Sequence, residues 1–401
     1  MRARFLGSLV LLATLTATVS DAVRPDDSKQ HAKVQLPQPR QLDKGVVWQR
    51  DPMTGELRPV TRGAATAAVE AENGESAASH PIQVRTEIVQ VTCIVATADG
   101  RAVPGLRRED FRVFEDGAEQ PLAYFDASTQ PASVALVIDA SPSVLRDSDE
   151  MKRAADALVD ALAPLDQAAV IGFSAHTYLQ LPFSDVREQI RRAVARVNVR
   201  ELLGDTGGSN IYQAVYLAAR ELFPERKGRK AIVLLTDGQD SGLGLTLDPA
   251  SAAPRGQADN RLTFDDVARI LASEDIQVFA VSTENRPKVM TPGWLAAHAS
   301  ETLVTPDARK QQIPPYTLYL AELVRRAGGQ LYFLREAETM ADTFRKIAEK
   351  IRAEYTLGFY PAPGPDGASP RAGWHSLRVE LADQAGAQVR HRAAYYVPAS
   401  P

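Results

Sequence analysis

Residues 134–143 read VALVIDASPS, and residues 231–238 read AIVLLTDG. Each stretch is an apolar run that ends at an acid, Asp139 in the first and Asp237 in the second. Bounded apolar runs of this kind are typical of strands buried on both faces, as in a parallel sheet that is covered by helices. Because open α/β sheets bind ligands at the carboxyl ends of their strands, we expect both acids at a ligand-binding crevice.

The groups at this expected crevice are oxygen donors, which hard divalent cations prefer. In Asp139-x-Ser141-x-Ser143, alternate residues of a loop that leaves a strand can converge on one point, and Asp237 adds a second carboxylate from another strand. Mg²⁺ takes about six oxygen ligands, of which one or two are carboxylates and several are waters. Two carboxylates balance the charge of one divalent ion. A position that holds only water can then accept an acidic residue from a partner.

Three motifs in this order resemble those of the von Willebrand factor A domain: Asp139-x-Ser141-x-Ser143, Gly207-Gly208-Ser209 and Thr236-Asp237-Gly238. That family binds a cation at a metal-ion-dependent adhesion site, with an Asp-x-Ser-x-Ser motif, a threonine in a Gly-Gly-Thr loop and an aspartate after a later strand. There the hydroxyls approach the metal directly or through water, the aspartates act largely through water, and a ligand carboxylate completes the octahedron. The resemblance implies metal ligands at Asp139, Ser141, Ser143, Ser209 and Asp237.

The second motif departs from the family, because Ser209 stands where threonine is usual. The hydroxyl is kept, but the methyl group that restricts the rotamer of a threonine is lost. Thr206 lies close by in the sequence, which leaves the identity of the ligand from this loop open. A different explanation of Asp139 and Asp237 is that they cap turns or helix starts, as aspartates often do.

Strand patterns and amphipathic helix patterns alternate through the whole region 131–352. Apolar faces with the period of a helix occur at 151–162, 211–222, 264–271, 316–324 and 340–351. Further strand-like runs occur at 169–173, 278–281 and 331–334, and we expect a short antiparallel edge strand at 177–183. Strands that alternate with helices imply right-handed crossovers. We therefore predict a Rossmann-like α/β domain over 131–352, with a doubly wound, mostly parallel sheet.

The regions on either side, 81–130 and 353–401, have strand patterns instead. In 89–95, every second residue is valine or cysteine, which is the period of a half-buried strand. Small units bury too little surface to be stable alone. We therefore expect the two β segments to form one small β-sandwich with the α/β domain inserted between them, and two separate β modules are the alternative. Contact between Cys93 and residues near Leu377 would favour the single sandwich.

The N-terminal sequence has the pattern of a secretory signal peptide. Two arginines precede the apolar stretch 5–19, and Ser20-Asp21-Ala22 offers a small-x-small cleavage site. The stretch is too short for a convincing membrane span, although an uncleaved anchor is the alternative. We therefore expect a signal peptide at 1–22, a flexible polar linker at 23–80, and a protein that is secreted or periplasmic.

The composition narrows the class of partner. A formal net charge of −4 and a pI near 6.0 argue against nucleic acid or an anionic membrane surface as the partner. The single cysteine, Cys93, excludes an intramolecular disulfide framework. Its place in a strand pattern predicts a buried, unreactive thiol. The expected partner is a protein that presents an Asp or Glu side chain.

The sequence matches no common class of enzyme. Residues 172–176 lack the second glycine of a nucleophile elbow, and the six histidines do not pair at zinc-ligand spacing. Serines beside a metal with no base nearby have no means of activation as nucleophiles. We therefore predict a non-enzymatic, metal-dependent protein-binding or adhesion module that holds Mg²⁺, with Mn²⁺ or Ca²⁺ as alternatives. A structural or assembly component with a fold-stabilising metal stays open, as does a less favoured metal-assisted hydrolase.

Overall fold

The structure is a computed structural model that describes residues 36–51, 55–61, 88–97, 101–128, 130–144, 146, 148–197, 208–241, 261–298, 303, 313–334, 340–364, 370–382 and 386–398. All of these residues belong to one compact unit, Leu36–Pro401. The signal peptide expected at 1–22 lies outside the described residues. Within the described part of the chain, none of the helices has the length and apolar character needed to cross a membrane.

The strands are, in chain order, β1 Arg40–Gln41, β2 Val46–Arg50, β3 Leu57–Thr61, β4 Val89–Thr97, β5 Phe111–Glu115, β6 Ala118–Gln120, β7 Leu122–Asp126, β8 Ala132–Asp139, β9 Gln167–Phe173, β10 Thr177–Ser184, β11 Arg229–Thr236, β12 Gln277–Ser282, β13 Gln330–Phe333, β14 Glu354–Phe359, β15 Gly373–Leu381, β16 Ala387–His391 and β17 Ala394–Val397. The helices are α1 Ser148–Ala161, α2 Arg187–Arg196, α3 Ile211–Leu222, α4 Phe264–Ser273, α5 Pro292–Ala297, α6 Pro315–Ala327 and α7 Met340–Arg352.

A seven-stranded sheet in the order β1-β10-β9-β8-β11-β12-β13 forms the centre of the α/β domain. Strands β9, β8, β11, β12 and β13 are parallel, whereas β10 is antiparallel to β9 and β1 is antiparallel to β10. Every residue of β8 is buried, as expected for a strand that is covered on both faces. The predicted doubly wound, mostly parallel sheet is confirmed. The strand at 177–183 is antiparallel as predicted, but its predicted place at the edge of the sheet is wrong, because β1 pairs with its outer side.

Helices cover both faces of this sheet. Side chains of α1, α2 and α7 form one core with Val134, Leu136 and Ile138 of β8. Side chains of α3, α4 and α6 form the second core with Ala135 and Val137. The side chains of β8 alternate between the two cores because successive residues of a strand point to opposite faces. The order of the strands reverses between β8 and β11, so this pair is the switch point of the sheet.

The two flanking β segments form one sandwich. One sheet has the order β16-β4-β14-β7 and the other has the order β17-β15-β5-β6, so both sheets mix strands from before and after the α/β domain. Val91 and Cys93 share one core with Leu377 and Val379, which confirms the single sandwich. Burial raises the pKa of the Cys93 thiol, and a fully buried thiol with a raised pKa is unreactive.

Part of the predicted linker folds onto the α/β domain. Residues 36–51 and 55–61, which we call the N-terminal strap, contain β1 at the edge of the central sheet and the β2–β3 hairpin. The prediction of a flexible linker is therefore wrong for these residues. The rest of 23–80 lies outside the described residues.

The strap folds because its side chains find partners on α3 and α4. Trp48 meets Tyr216 edge to face, with 5.4 Å between the ring centroids. Arg50 makes a bidentate ion pair with Asp266, in which each nitrogen–oxygen distance is 2.8 Å. Bidentate pairs between arginine and a carboxylate combine charge with fixed geometry. These contacts are long-range in sequence, so a local pattern could not reveal them.

Candidate metal centre

The two acids that end the apolar runs are neighbours because their strands are neighbours. Strands β8 and β11 pair in parallel with Ile138 opposite Leu235, which brings Asp139 and Asp237 to the same edge of the sheet. Since β8 and β11 form the switch point, this edge is the place where open α/β sheets bind ligands. The two residues are only 2% and 3% exposed, respectively.

Asp139 accepts hydrogen bonds from three described groups. Thr236 Oγ1 donates to Asp139 Oδ2 at 2.6 Å, Ser209 Oγ donates to the same oxygen at 3.2 Å, and the backbone N–H of Ser141 donates to Oδ1 at 2.9 Å. Burial, with a smaller contribution from the charge of Asp237, raises the pKa of Asp139 to about 6, against the hydrogen bonds from Ser141 and Thr236, which lower it. A cation beside this carboxylate would offset both its burial and its repulsion from Asp237.

Ser141 and Ser143 lie on the turn that follows β8. The chain makes a short 3-10 turn at Pro142–Val144, and the Val144 N–H donates to Ser141 O at 3.3 Å. This turn brings the hydroxyl oxygens of Ser141 and Ser143 to 3.0 Å from each other. Ser141 is buried and Ser143 is exposed, so Ser143 is the outermost member of the group.

Ser209 is held in place by the loop that follows β11. Its N–H donates to Ser241 Oγ at 2.7 Å, and the N–H of Ser241 donates back to Ser209 O at 2.7 Å. Asp240 Oδ1 accepts from the N–H of Ile211 at 2.7 Å, which satisfies a free donor in the first turn of α3. A Cβ at Gly208 would lie 2.9 Å from Ser241 Oγ, so a larger residue there would displace the hydroxyl that binds the Ser209 N–H.

Asp237 takes its position from the turn after β11. Its Oδ1 accepts from the N–H of Gln239 at 2.8 Å, and Gly238 between them has a φ of +87°, a conformation that favours glycine. The N–H of Gly238 donates to Thr236 Oγ1 at 3.0 Å, which orients that hydroxyl as a donor to the carboxylate on β8. A Cβ at position 238 would lie 3.4 Å from the ring of Tyr316, so this ring covers the turn.

Four of the five predicted ligands form one hydrogen-bonded group, which consists of Asp139, Ser141, Ser143 and Ser209. Asp237 lies at the adjacent strand end and acts on the group through its charge. The prediction missed Thr236, although this residue stands directly before Asp237 in the quoted stretch and donates the shortest of the three hydrogen bonds to Asp139. Thr206 and Gly207 lie outside the described residues.

The donors at this site are carboxylate and hydroxyl oxygens. Among the described residues, no group of three or more His, Cys, Asp and Glu side chains is placed to hold a metal ion. A metal at Asp139 and Asp237 would therefore depend on hydroxyl oxygens for part of its coordination. An all-oxygen set fits Mg²⁺, Mn²⁺ or Ca²⁺ better than a soft metal that prefers sulfur or imidazole ligands.

The comparison with known families agrees with the fold. Residues 134–239 match the family described as the von Willebrand factor type A domain. This segment runs from β8 to the loop after β11 and contains all five predicted ligands. Residues 134–239 are therefore the part of the α/β domain that is similar to a von Willebrand factor type A domain. No curated protein matches the chain.

Solved structures with similar folds include other domains of this type. An aerotolerance-related membrane protein of Bacteroides fragilis is 19% identical, with 55% of this chain and 98% of that chain covered and a TM-score of 0.37. A von Willebrand factor type A protein of Catenulispora acidiphila is 14% identical, with 78% and 75% covered and a TM-score of 0.35. Proximal thread matrix protein 1 of the mussel byssus, with a zinc-occupied MIDAS motif, is 15% identical, with 59% and 48% covered and a TM-score of 0.38.

Proposed function

We propose that this chain is a secreted or periplasmic binding module that uses a divalent cation to capture an acidic side chain of a partner protein. Mg²⁺ is the proposed ion, and Mn²⁺ or Ca²⁺ are the alternatives. The observation that carries the proposal is the Asp139 carboxylate, which lies buried at the switch point of the sheet and accepts hydrogen bonds from the hydroxyls of Ser209 and Thr236. The proposed location depends on the apolar leader at 5–19.

The chain's own residues would bind and orient the cation. Asp139 and Asp237 supply two carboxylates. The Ser209 hydroxyl donates to Asp139, and the Ser141 hydroxyl is hydrogen-bonded to the Ser143 hydroxyl beside it. Ser143 is exposed, so the site is accessible to solvent at Ser143. When bound, a divalent cation supplies an electrophilic position that a ligand carboxylate can occupy.

We propose binding rather than catalysis. Among the described residues, the hydrogen bonds of the candidate ligands come from hydroxyls and backbone N–H groups, and no imidazole takes part in them. A serine nucleophile needs a general base that can accept its proton. A panel of generic ester, peptide and phosphate substrates should therefore give no product with the metal-loaded protein.

The burial of most of the site favours a second candidate function. Asp139, Ser141, Ser209 and Asp237 are each less than 5% exposed, so a metal here could serve mainly to stabilise the fold. The two functions predict different behaviour for Ser141→Ala. The Ser141 hydroxyl is hydrogen-bonded to the Ser143 hydroxyl, and its side-chain hydrogen bond also lowers the pKa of Asp139. Since one hydrogen bond contributes about 1 kcal/mol, its loss should not unfold the metal-free protein. A fold-stabilising metal predicts that the same variant unfolds.

The first experiment is therefore a Mg²⁺ titration followed by calorimetry and by thermal melting. We expect wild type to bind Mg²⁺, and Ser141→Ala to stay folded while its Mg²⁺ dissociation constant rises by about tenfold or more. Ser273→Ala is the matched control, because its hydroxyl donates to Ile270 O on an exposed turn of α4. Absence of Mg²⁺, Mn²⁺ and Ca²⁺ binding by wild type would contradict the proposal.

Capture of a carboxylate is tested with a phage-displayed peptide library that is selected on wild-type protein in millimolar Mg²⁺. We expect the enriched peptides to contain Asp or Glu. Their binding should disappear with EDTA, with Ser141→Ala, or when the acid is replaced by its amide. Enriched peptides that bind equally well without metal, or without the acid, would support a structural role for the cation instead.

A further inference from the structure

Two sets of hydrogen bonds fix the position of Ser209, and one of them connects it to elements outside the metal centre. In the first set, the loop after β11 binds the backbone of Ser209. In the second set, the N–H of the next residue, Asn210, donates to Ser174 O at 2.9 Å, and Asn210 Nδ2 donates to Ala175 O at 2.6 Å. Ser174 and Ala175 belong to the turn that joins β9 to β10. The position of Ser209 therefore depends on the position of this turn.

Asp43 of the N-terminal strap anchors this β9–β10 turn. Asp43 Oδ2 lies 2.6 Å from His176 Nδ1, and Asp43 Oδ1 accepts from the N–H of Thr177 at 3.3 Å. Gln213 Nε2 donates to Asp43 Oδ2 at 3.2 Å, so the same carboxylate also binds the first turn of α3. The side chain of Asp43 is only 8% exposed. A buried carboxylate with this many partners has a well-defined position.

Asp43 thus joins the two elements between which Ser209 lies, the β9–β10 turn and α3. We propose that Asp43 is a positioning residue for the Ser209 hydroxyl, and that it acts through the contacts of Ala175 with Asn210. The effect on cation affinity rests on the function proposed above, whereas the effect on the Ser209 loop does not. Residues that orient metal ligands from outside the coordination sphere commonly change metal affinity when they are replaced.

Attachment of the strap does not depend on Asp43 alone. The β2–β3 hairpin has its own anchors in the Arg50–Asp266 ion pair and the contact of Trp48 with Tyr216. Replacement of Asp43 should therefore leave the hairpin in place and loosen the turn next to Ser209. This separates a positioning role from a general contribution to the stability of the strap.

The test compares Asp43→Ala and Asp43→Asn with Glu56→Gln, which removes one charge from the same strap at a side chain that is 48% exposed. The first readout is amide hydrogen exchange of the metal-free proteins, with Asn210 compared with the amides of β2. The second readout is the Mg²⁺ dissociation constant from calorimetry. Asp43→Asn keeps the size of the side chain and one acceptor oxygen, so it stays informative if Asp43→Ala does not fold.

We expect faster exchange at Asn210 in both Asp43 variants, with the larger change in Asp43→Ala, and unchanged exchange in β2. The Mg²⁺ dissociation constant should rise by about tenfold in Asp43→Ala and by a smaller factor in Asp43→Asn, and it should not change in Glu56→Gln. Unchanged exchange at Asn210, or an equal rise in exchange across the strap and the sheet, would overturn the positioning role. If wild type binds no cation but Asn210 still responds, the positioning role stands and the proposed function fails.

Discussion

Two buried acids at opposite ends of the α/β domain differ in what surrounds them. Asp139 ends β8 at the carboxyl edge of the sheet and accepts hydrogen bonds from hydroxyls and from a backbone N–H. Glu354 begins β14 at the junction with the β-sandwich, beside the first residue of β11, and neither of its carboxyl oxygens has a hydrogen-bond partner among the described residues. Burial alone therefore does not identify a binding site.

The nearest cation to Glu354 is already engaged elsewhere. Arg229 Nε lies 3.7 Å from Glu354 Oε2, but the Arg229 guanidinium donates to the backbone carbonyls of Ser128, Arg352 and Glu354 itself. Burial consequently raises the pKa of Glu354 well above its usual value, in spite of the opposing charge of Arg229. Burial thus favours the neutral form of Glu354, whereas the hydrogen bonds that Asp139 accepts favour its charged form and partly offset the effect of its burial.

The largest expected difference between the two acids is in the response to metal. A cation at about a hundred times its dissociation constant should stabilise the wild type by about 2.7 kcal/mol. That corresponds to a rise in the melting temperature of about 5–10 °C for a domain of this size. Asp139→Asn should lose this rise, and Glu354→Gln should keep it. A melt in Mg²⁺ and in EDTA measures both, and an equal rise in the two variants would contradict the assignment of the site.

The second difference is in the pH dependence of stability. Unfolded Glu354 ionises near its ordinary pKa of about 4.3, whereas the folded residue keeps its proton to a higher pH. Above pH 4.3 the folded state therefore binds more protons than the unfolded state, and stability falls as the pH rises through this window. Glutamine does not titrate, so Glu354→Gln should gain stability relative to wild type by up to about 1.4 kcal/mol between pH 5 and pH 6.

Urea denaturation at the two pH values measures this gain as a difference in the free energy of unfolding. Glu349→Gln, at an exposed position of α7, is the control for the loss of one charge. If the free energy of unfolding differs between Glu354→Gln and wild type by the same amount at pH 5 and at pH 6, then Glu354 is already ionised in the folded protein.

The third comparison concerns two threonines that are both fully buried. Thr236 Oγ1 donates to Asp139 and accepts from Gly238, whereas Thr177 Oγ1 has no described hydrogen-bond partner. Thr236→Val should therefore lower the free energy of unfolding by about 1.5 kcal/mol, because it leaves the N–H of Gly238 unpaired and removes the shorter of the two hydroxyl hydrogen bonds to Asp139 Oδ2. Thr177→Val should leave that free energy unchanged or raise it by about 1 kcal/mol. Urea denaturation of the metal-free variants compares them, and equal losses would show that the two hydroxyls are equivalent.

The features of this protein that could be predicted from the sequence are those that arise from a short repeating pattern of apolar residues or from motif residues close together in the chain. The apolar run before Asp139 predicts a strand buried on both faces, and β8 is buried throughout. The alternate spacing of Asp139, Ser141 and Ser143 predicts convergence, and their side chains and backbones are within hydrogen-bond distance of one another. Thr236 could have been predicted from the same stretch, because it immediately precedes Asp237.

Other features depend on residues that are far apart in the chain. The N-terminal strap has the composition of a linker, and it folds only because Arg50 reaches Asp266 and Trp48 reaches Tyr216. Neither partner can be identified from the strap itself. The contact of Asp43 with the β9–β10 turn has the same character, since the two segments are more than a hundred residues apart.

The sequence by itself therefore determined the α/β architecture, the edge of the sheet at which the acids meet and most of the candidate ligands. The reason is that strand period, strand ends and motif spacing are local properties. Only the tertiary structure decided that the buried Asp139 accepts several hydrogen bonds, whereas the carboxyl oxygens of the buried Glu354 have no partner among the described residues. It also decided that the strap binds the β9–β10 turn and α3, which flank Ser209, because burial and pairing depend on the sum of contacts from distant parts of the chain.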